Sequence, residues 1–448
     1  MSNTISDMFK MEDLRKKILF TLLVLAITRV GTVIPVPGVN PTLLEQYFLS
    51  QSASGNLGIV EYLNFFSGGA FSNFSLFTLG VMPYISMQII IQLLMLIIPK
   101  LKAWGEDADG RRKIQKVTRY GTIVVCLLQS FVVTVYARSI SYYVPGVITI
   151  DMLPFTLISM LTVTAGSMTL VWLGEKITQS GIGNGISLLI YAGIVARVPS
   201  AFGTIIQGIA AGKGSSSYIN PVLLVIVIVV FIIIVALVVC EEAGERKIPV
   251  NYAKRVVGRK MYGAQSSYIP FKINPSGVIP VIFASSVLTF PIQIASALGS
   301  NVKWLQSVAN WLDPQGAPYI IIYTILIIAF AFFYTQVSLN PVEMAKQIRE
   351  NGGSVPGVRS DKLEEYLTKV LNRIVLPGSL FLAFIALVPT LIQLIFKFPS
   401  SVAMLFGGTS LIILVGVTIE TVKQVESIMK MHHHEGFLGV KKIKSKSL

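Results

Sequence analysis

The chain has 448 residues, of which 53% are hydrophobic and only 13% are charged, and its mean hydropathy is +0.69. These values exclude an ordinary soluble domain and indicate a polytopic membrane protein. The net charge of +15 must then be explained by where the Lys and Arg residues lie along the chain.

Ten stretches are apolar enough to cross a membrane, since a span needs roughly 20 mostly apolar residues. The predicted fold is therefore an all-α polytopic membrane protein. The apolar run after Arg15 has no small-residue cleavage site, so it is interpreted as a retained first span. The predicted spans are residues 18–35, 77–98, 118–138, 153–173, 185–208, 219–240, 275–297, 318–338, 371–394 and 402–422.

The positions of the basic residues predict the orientation. If the N-terminus is cytoplasmic, 31 of the 37 Lys and Arg residues lie in cytoplasmic segments. The first outer loop, residues 36–75, contains none of them. This asymmetry follows the positive-inside rule and predicts that both termini are cytoplasmic.

The second span has an unusual composition. Residues 77–99, FTLGVMPYISMQIIIQLLMLIIP, carry Gln88 and Gln92 in the middle of an otherwise apolar run. The preceding stretch, NFFSGGAFSNFS (residues 64–75), is rich in Gly and Ser and too polar to lie in lipid alone. Together these features predict a protein-lined, partly wet space inside the membrane.

Two predicted cytoplasmic loops, residues 241–274 and 339–373, are longer than a connection requires. In both, basic residues alternate with turn residues. Such loops suit an anionic partner, for which lipid headgroups, RNA and an acidic protein face are alternatives. The positive-inside bias alone is an equally good explanation.

A short internal echo suggests two related halves. The sequence Gly-Val-Met-Pro at residues 80–83 opens the second span, and Gly-Val-Ile-Pro at residues 277–280 opens the seventh. Five spans per half would give the halves opposite orientations, as in an inverted repeat. The predicted organisation is an N-terminal half (1–212), a C-terminal half (213–430) and a basic tail (431–448).

The sequence offers no catalytic constellation, so an enzyme, a cofactor and a metal site are not predicted. Arg29 and Arg197 lie toward the outer ends of their spans, where snorkelling to the surface is expected. His432, His433 and His434 are interpreted as a solvated tail. Cys126 and Cys240 fall at opposite membrane faces, so no disulfide is expected.

Two long segments, SLFTLGVMPYISMQIIIQLL (75–94) and WLGEKITQSGIGNGISLLI (172–190), closely resemble the signature segments of the SecY family. The resemblance continues through residues 29–39, 251–270, 356–361 and 406–417, in order. Met87 and the pair Ser360-Asp361 depart from the family pattern; the second departure weakens the loop shape inferred around Arg359.

The resemblance implies a central pore between two inverted five-helix halves, filled from outside by a short plug helix at about residues 64–74. It assigns the plug to Asn64, Ser67, Gly68, Gly69, Ala70 and Phe74. It assigns the constriction ring to Val81, Ile85, Ile186, Ile190, Ile282 and Ile413. It assigns the lateral gate, between the second and seventh spans, to Ser86, Gln129 and Asn274. It assigns the docking surface for a motor or ribosome to Arg255, Arg259, Lys260 and Arg359.

By the same resemblance, the expected function is the central protein-conducting channel of the Sec translocon in the cell (inner) membrane. It would pass unfolded preproteins and release hydrophobic segments sideways. The expected partners are SecE-like and SecG-like subunits, the SecA motor ATPase, the ribosome, signal peptides and membrane lipids. An inverted-repeat secondary transporter and a pore-less insertase or scaffold remain alternatives.

Overall fold

The computed structural model describes most of the chain. The described residues are 11–53, 64, 67–210, 221–252, 255–257, 260–262, 265–298, 304, 307, 311–312, 316–396 and 408–437. The helices are α1 Glu12–Gly31, α2 Pro41–Ala53, α3 Met82–Ile97, α4 Pro99–Glu106, α5 Ala108–Tyr143, α6 Met152–Ser180, α7 Gly185–Ala210, α8 Pro221–Ala243, α9 Ile279–Leu298, α10 Ala317–Ser338, α11 Pro341–Glu350, α12 Leu363–Phe396 and α13 Gly408–Phe437. The strands are β1 Glu245–Tyr252, β2 Arg255–Val257, β3 Lys260–Tyr262, β4 Gln265–Lys272 and β5 Gly353–Ser354.

Each of the ten predicted spans coincides with one long helix, in the predicted order: α1, α3, α5, α6, α7, α8, α9, α10, α12 and α13. Within the described residues, 6 helices are long and apolar enough to cross a membrane by length and composition. A seventh is added if α3 and α4, bent by 111° at their break, count as one span. The chain is therefore a multi-pass membrane protein.

Local sequence signals explain where several helices begin. Proline lies in the first turn of α3, α4, α10 and α11, where its missing N–H costs no hydrogen bond. The Asp107 carboxylate accepts from the N–H of Gly110 at the start of α5, 3.3 Å away. The Asn340 side chain does the same for Val342 at the start of α11, at 3.2 Å.

The first five long helices meet the last five mainly on two sides. On one side α9 packs against α3 and α5, and on the other α13 packs against α7. Between these two contacts lies the largest apolar cluster, here called the central cluster, to which α3, α7, α9 and α13 all contribute buried side chains. The second and seventh spans are thus in contact, as the sequence predicts.

The two long loops form one small unit rather than separate turns. The strands of this unit are not predicted from the sequence. Strand β1 pairs antiparallel with β4 from Glu245 opposite Lys272 to Tyr252 opposite Gln265, and β5 adds to its other edge. Strands β2 and β3 form a separate hairpin. Apolar residues of β1, β4, α11 and α12 make a common core beneath the sheet. We call this side of the molecule the basic face.

On the opposite side a second apolar cluster, the outer cluster, joins α2 to the outer ends of α5 and α6. Backbone bonds tie this region together, including the N–H of Asn40 to the oxygen of Val147 (2.9 Å). Two backbone hydrogen bonds hold the chain between α2 and α3. The N–H of Val36 donates to the oxygen of Phe74 (2.9 Å), and the N–H of Leu76 donates to the oxygen of Ile34 (3.0 Å).

Two helical glycines provide a test of this packing. A Cβ on Gly166 of α6 would overlap the carbonyl oxygen of Leu76, whereas a Cβ on Gly203 of α7 would meet open space. We expect Gly166→Ala to destabilise the protein by about 1–3 kcal/mol, because backbone must move. We expect Gly203→Ala to leave stability unchanged or to raise it slightly. Thermal unfolding in mild detergent, followed by tryptophan fluorescence, compares the two. Equal unfolding temperatures would contradict the described contact between α6 and Leu76.

Candidate functional site

A cavity of about 540 Å³ opens on the basic face among α3, α5, α6, α7, α13 and the turn before α9. Its wall includes Gln88 and Gln92, whose polar side chains in an apolar span are thereby explained. Its lining also includes the aliphatic side chains of Ile85, Ile186, Ile190 and Ile282. This cavity, here called the funnel, thus has both polar and aliphatic walls.

All six residues assigned to the ring belong to the central cluster or pack against it. Val81, Ile85, Ile190, Ile282 and Ile413 are each at most 6% exposed, and the half-buried Ile186 packs against the cluster. They come from the start of α3 and from α7, α9 and α13. The ring itself stays a prediction, since the cluster also contains many other aliphatic residues.

The segment assigned to the plug lies between the central and outer clusters. Residues 67–74 form successive turns, and residues 65–66 lie outside the described part of the chain. The Ser67 hydroxyl donates to the oxygen of Asn64 (3.2 Å) and accepts from the N–H of Phe71 (3.0 Å). The N–H of Gly69 donates to the oxygen of Asn64, at 2.9 Å. Ala70 is fully buried in the central cluster, whereas Phe74 is buried in the outer cluster.

Arg29 is half-buried, and its guanidinium contacts the plug segment, which the snorkelling expectation did not include. Its Nη1 lies 3.4 Å from the oxygen of Gly68. A Cβ on Gly68 would come within 2.8 Å of both this Nη1 and the Cα of Gly193 in α7. Gly68 also has a φ of +65°, which favours glycine. The plug segment is therefore held between α1 and α7 at a position where only glycine fits.

Of the three residues assigned to the lateral gate, Ser86 lies on α3, Gln129 on α5 and Asn274 in the turn before α9, and α9 packs against both α3 and α5. The Ser86 hydroxyl donates to the oxygen of Met82 in its own helix, at 3.0 Å, and Gln129 is buried at 4% exposure. No hydrogen bond in the described structure joins Ser86, Gln129 and Asn274 to one another. Instead, the Ser286 hydroxyl of α9 faces the sulfur of Met82, at 3.9 Å.

Asn274 is hydrogen-bonded to Glu242, a residue that no sequence motif indicates. Its Nδ2 donates to Oε1 of Glu242 at the end of α8 (3.1 Å) and to the oxygen of Gly277 (3.1 Å). Its Oδ1 accepts from the Ser276 hydroxyl, at 2.9 Å. Both Asn274 and Glu242 are at most 5% exposed. This buried hydrogen-bond cluster fixes the start of α9 against α8, and only the structure reveals it.

A second polar pair borders the funnel on its other side. Arg119 of α5 donates from Nε and Nη2 to the two carboxylate oxygens of Glu175 in α6, at 3.0 and 2.6 Å. The two-pronged geometry fixes both side chains better than a single contact would. Since both residues line the funnel, this pair holds one wall of the cavity in place.

Three of the four residues assigned to docking lie in the described parts of the two long loops. Arg359 is 81% exposed in its side chain and lies 3.6 Å from Asp361 through its Nε. Arg255 begins β2 and Lys260 begins β3, and Arg259 lies outside the described residues. Because its side chain is exposed, Arg359 is available to a partner.

Metal or thiol chemistry finds no support in the described part of the chain. No group of three or more His, Cys, Asp or Glu residues there could hold a metal ion. Cys126 is buried, Cys240 is exposed, and both are free thiols. The backbone of residues 432–434 continues α13.

A cavity lined by polar and aliphatic side chains, inside a bundle of long membrane helices, is the geometry of a membrane channel. The SecY family model matches residues 75–422. The chain is 42% identical over 424 residues to the protein translocase subunit SecY of Borreliella burgdorferi, which covers 95% of this chain and 94% of the relative. The chain therefore belongs to the SecY family.

The fold agrees with this assignment. A solved SecY structure, in which the plug domain stabilises the closed state of the translocation channel and maintains a membrane seal, matches with a TM-score of 0.63 at 21% identity. Sec61 in the canine ribosome-channel complex from the endoplasmic reticulum matches with a TM-score of 0.61 at 19% identity. Each alignment covers 95% of this chain and 94% of the other. These matches confirm the predicted all-α channel fold.

The bond between Asn274 and Glu242 can be tested by exchanging its two groups. Asn274→Asp places two carboxylates together and removes the donor, so we expect α9 to loosen, at a cost of about 1–3 kcal/mol for an unsatisfied buried group. Adding Glu242→Gln restores a donor from the other side. The measurement is the membrane integration of test segments of graded hydrophobicity.

In this test, Asn274→Asp should let less hydrophobic segments integrate, and the double variant should return toward wild type. Glu420→Gln is the matched control, since Glu420 also lines the funnel but has no bond to Asn274. A double variant that behaves like Asn274→Asp alone would show that the hydrogen bond between Asn274 and Glu242 does not position α9.

Proposed function

We propose that this chain is the central protein-conducting channel of a Sec translocon. It passes unfolded secretory proteins across the membrane and releases hydrophobic segments sideways into the bilayer. The observation that carries the proposal is the cavity of about 540 Å³, in which four of the six aliphatic residues assigned to the ring share the lining with polar side chains. Membership of the SecY family supports the same conclusion.

An aliphatic neck suits this task for a physical reason. Narrow apolar walls disfavour a continuous water column and present no dipoles to an ion, so the resting channel stays dry. The same side chains hold no polypeptide by specific bonds. They can therefore part around an extended chain of any sequence and close again behind it. The neck in this account is the six-residue ring of Val81, Ile85, Ile186, Ile190, Ile282 and Ile413.

The plug and the gate complete the proposed cycle. Residues 64–74 block the funnel from the outer side at rest, held by the Arg29 contact to Gly68. A hydrophobic segment leaves between α3 and α9, near Ser86, Gln129 and Asn274. Hydrogen bonds between membrane helices average about 0.6 kcal/mol, so an arriving signal helix can replace the contacts at this seam.

The halves, partners and location follow from the same reading. Residues 1–212 and 213–430 form the two inverted halves, and residues 431–448 form a basic tail. The chain lies in the cell (inner) membrane with both termini cytoplasmic, and it assembles with SecE-like and SecG-like subunits. No nucleotide-binding loop is present in the sequence, so SecA or a translating ribosome supplies the driving force. Both dock on the basic face through Arg255, Arg259, Lys260 and Arg359.

Reconstitution tests the proposal as a whole. The purified chain with SecE-like and SecG-like subunits in liposomes should import an unfolded precursor only when SecA and ATP are added. Uptake of a small solute driven by an ion gradient, with no precursor import, would favour a secondary transporter instead.

The ring makes a second prediction. Replacing Ile190 and Ile413 with Asn puts hydrogen-bonding groups at the neck and favours its hydration. Burial of one such aliphatic side chain is worth about 1.5–3 kcal/mol, so the closed state should lose at least tenfold in population. Planar-bilayer conductance without precursor should rise accordingly. Ile97→Asn is the control, because Ile97, at the end of α3, is 76% exposed and is not part of the central cluster. A double Asn variant as tight as wild type would contradict the ring assignment.

The docking surface makes a third prediction. Arg359→Glu should weaken SecA binding and precursor import several-fold while leaving the protein folded, since the side chain is exposed and makes no buried contact. Because exposed charges are screened, the difference from wild type should shrink as salt is raised. Lys346→Glu, on α11 of the same unit and 71% exposed, is the charge-matched control. Equal effects of the two reversals would mean that only the overall charge matters.

A further inference from the structure

The turn between α6 and α7 carries one of the two signature segments, yet neither the ring nor the gate explains its glycines. It reads Ser-Gly-Ile-Gly-Asn-Gly over residues 180–185. A Cβ on Gly181 would lie 2.5 Å from Oγ1 of Thr21 in α1. A Cβ on Gly185 would overlap the oxygen of Gly174 in α6. Gly183 has a φ of +82°, which favours glycine. The turn is thus pressed against its neighbours on every side.

The turn also connects the two groups of helices. The N–H of Ile182 donates to Oγ1 of Thr21 in α1, at 3.1 Å. The next N–H, of Gly183, donates to Oε1 of Gln424 in α13, at 2.6 Å. Beneath these bonds, Ile182 is buried in a small cluster with Leu14 and Val425. One turn therefore binds the middle of the first helix and the middle of the last helix of the bundle.

This junction joins the two helices that carry three of the ring residues. Ile186 follows the turn directly and Ile190 lies one helical turn further on. The Asn184 side chain caps this first stretch of α7 by accepting from the N–H of Ile186, at 3.1 Å. Ile413 lies on α13, 11 residues before Gln424 and so about 16 Å along the helix.

The placement of this junction relative to the seam suggests its role. The first and last helix groups meet mainly at α3 and α5 against α9, and at α7 against α13. The first of these contacts is the seam of the proposed gate. The second contains the turn and Gln424. A seam on one side can open only if the contact on the other side holds.

We propose that Gln424 is a positioning residue, which fastens α13 to the turn between α6 and α7 as a pivot and so keeps the ring in register while α3 and α9 separate. This role rests on the proposed channel function. It adds a residue that touches neither the ring nor the gate but sets how tightly the neck recloses.

The test compares three variants of α13 in the reconstituted complex. Gln424→Leu removes the acceptor, Gln424→Glu keeps it, and Glu426→Leu changes a neighbouring exposed residue that has no bond to the turn. We expect Gln424→Leu to raise resting conductance up to tenfold and to admit precursors with weaker signal sequences. Tenfold corresponds to about 1.4 kcal/mol, near the upper end for one hydrogen bond. The other two variants should behave like wild type.

A second measurement does not depend on transport. Spin labels at Val195 of α7 and Met431 of α13, both exposed, report the distance between these helices in a chain lacking Cys126 and Cys240. The distance distribution should broaden in Gln424→Leu and stay narrow in Gln424→Glu. An unchanged distance distribution in Gln424→Leu would refute the pivot. So would a Gln424→Glu variant whose distance distribution is as broad, and whose resting conductance is as high, as those of Gln424→Leu. If the distances respond as expected but wild type imports no precursor, the channel function fails and the junction stands.

Discussion

In the proposed channel, aliphatic side chains alone close the neck between the two helix groups, and the rest of the structure depends on that choice. No ion pair or hydrogen bond between side chains of the ring has to be broken when a polypeptide enters. The contact is strengthened only by the removal of apolar surface from water, at about 25 cal/mol per Å². Such a contact is non-directional, so it can be re-formed after any sequence has passed.

Because the neck has no directional bonds, its geometry must be set by polar contacts placed away from it. Asn274 and Glu242 fix the start of α9, Gly183 and Gln424 join α7 to α13, and Arg29 holds Gly68. The first lies at the start of α9 and the second joins the start of α7 to the middle of α13. In the proposed channel, the apolar surface that opens is therefore separate from the polar contacts that position it.

The sequence predicts some of these features well. The ten spans are recognisable because apolar runs of that length have no other use, and Gln88 and Gln92 indicated a wet cavity. The ring could be assigned only by resemblance, since Ile190 or Ile413 alone looks like any buried aliphatic residue. The pairing of Asn274 with Glu242 joins residues 32 apart, and that of Gly183 with Gln424 joins residues 241 apart. No local pattern carries such information. The strands of the basic face were missed because their charged residues and turns do not show a clear alternation of apolar positions.

The central claim is that the neck opens at the seam between α3 and α9, and one crosslink tests it most directly. Oγ of Ser286 lies 3.9 Å from Sδ of Met82. Cysteines at these two positions, in a chain lacking Cys126 and Cys240, should form a disulfide in the resting channel. With a precursor arrested in the channel at its hydrophobic segment, the disulfide should no longer form. Once formed in advance, it should stop such segments from reaching the lipid. A disulfide that forms equally well around an arrested precursor, and leaves membrane integration intact, would contradict the account.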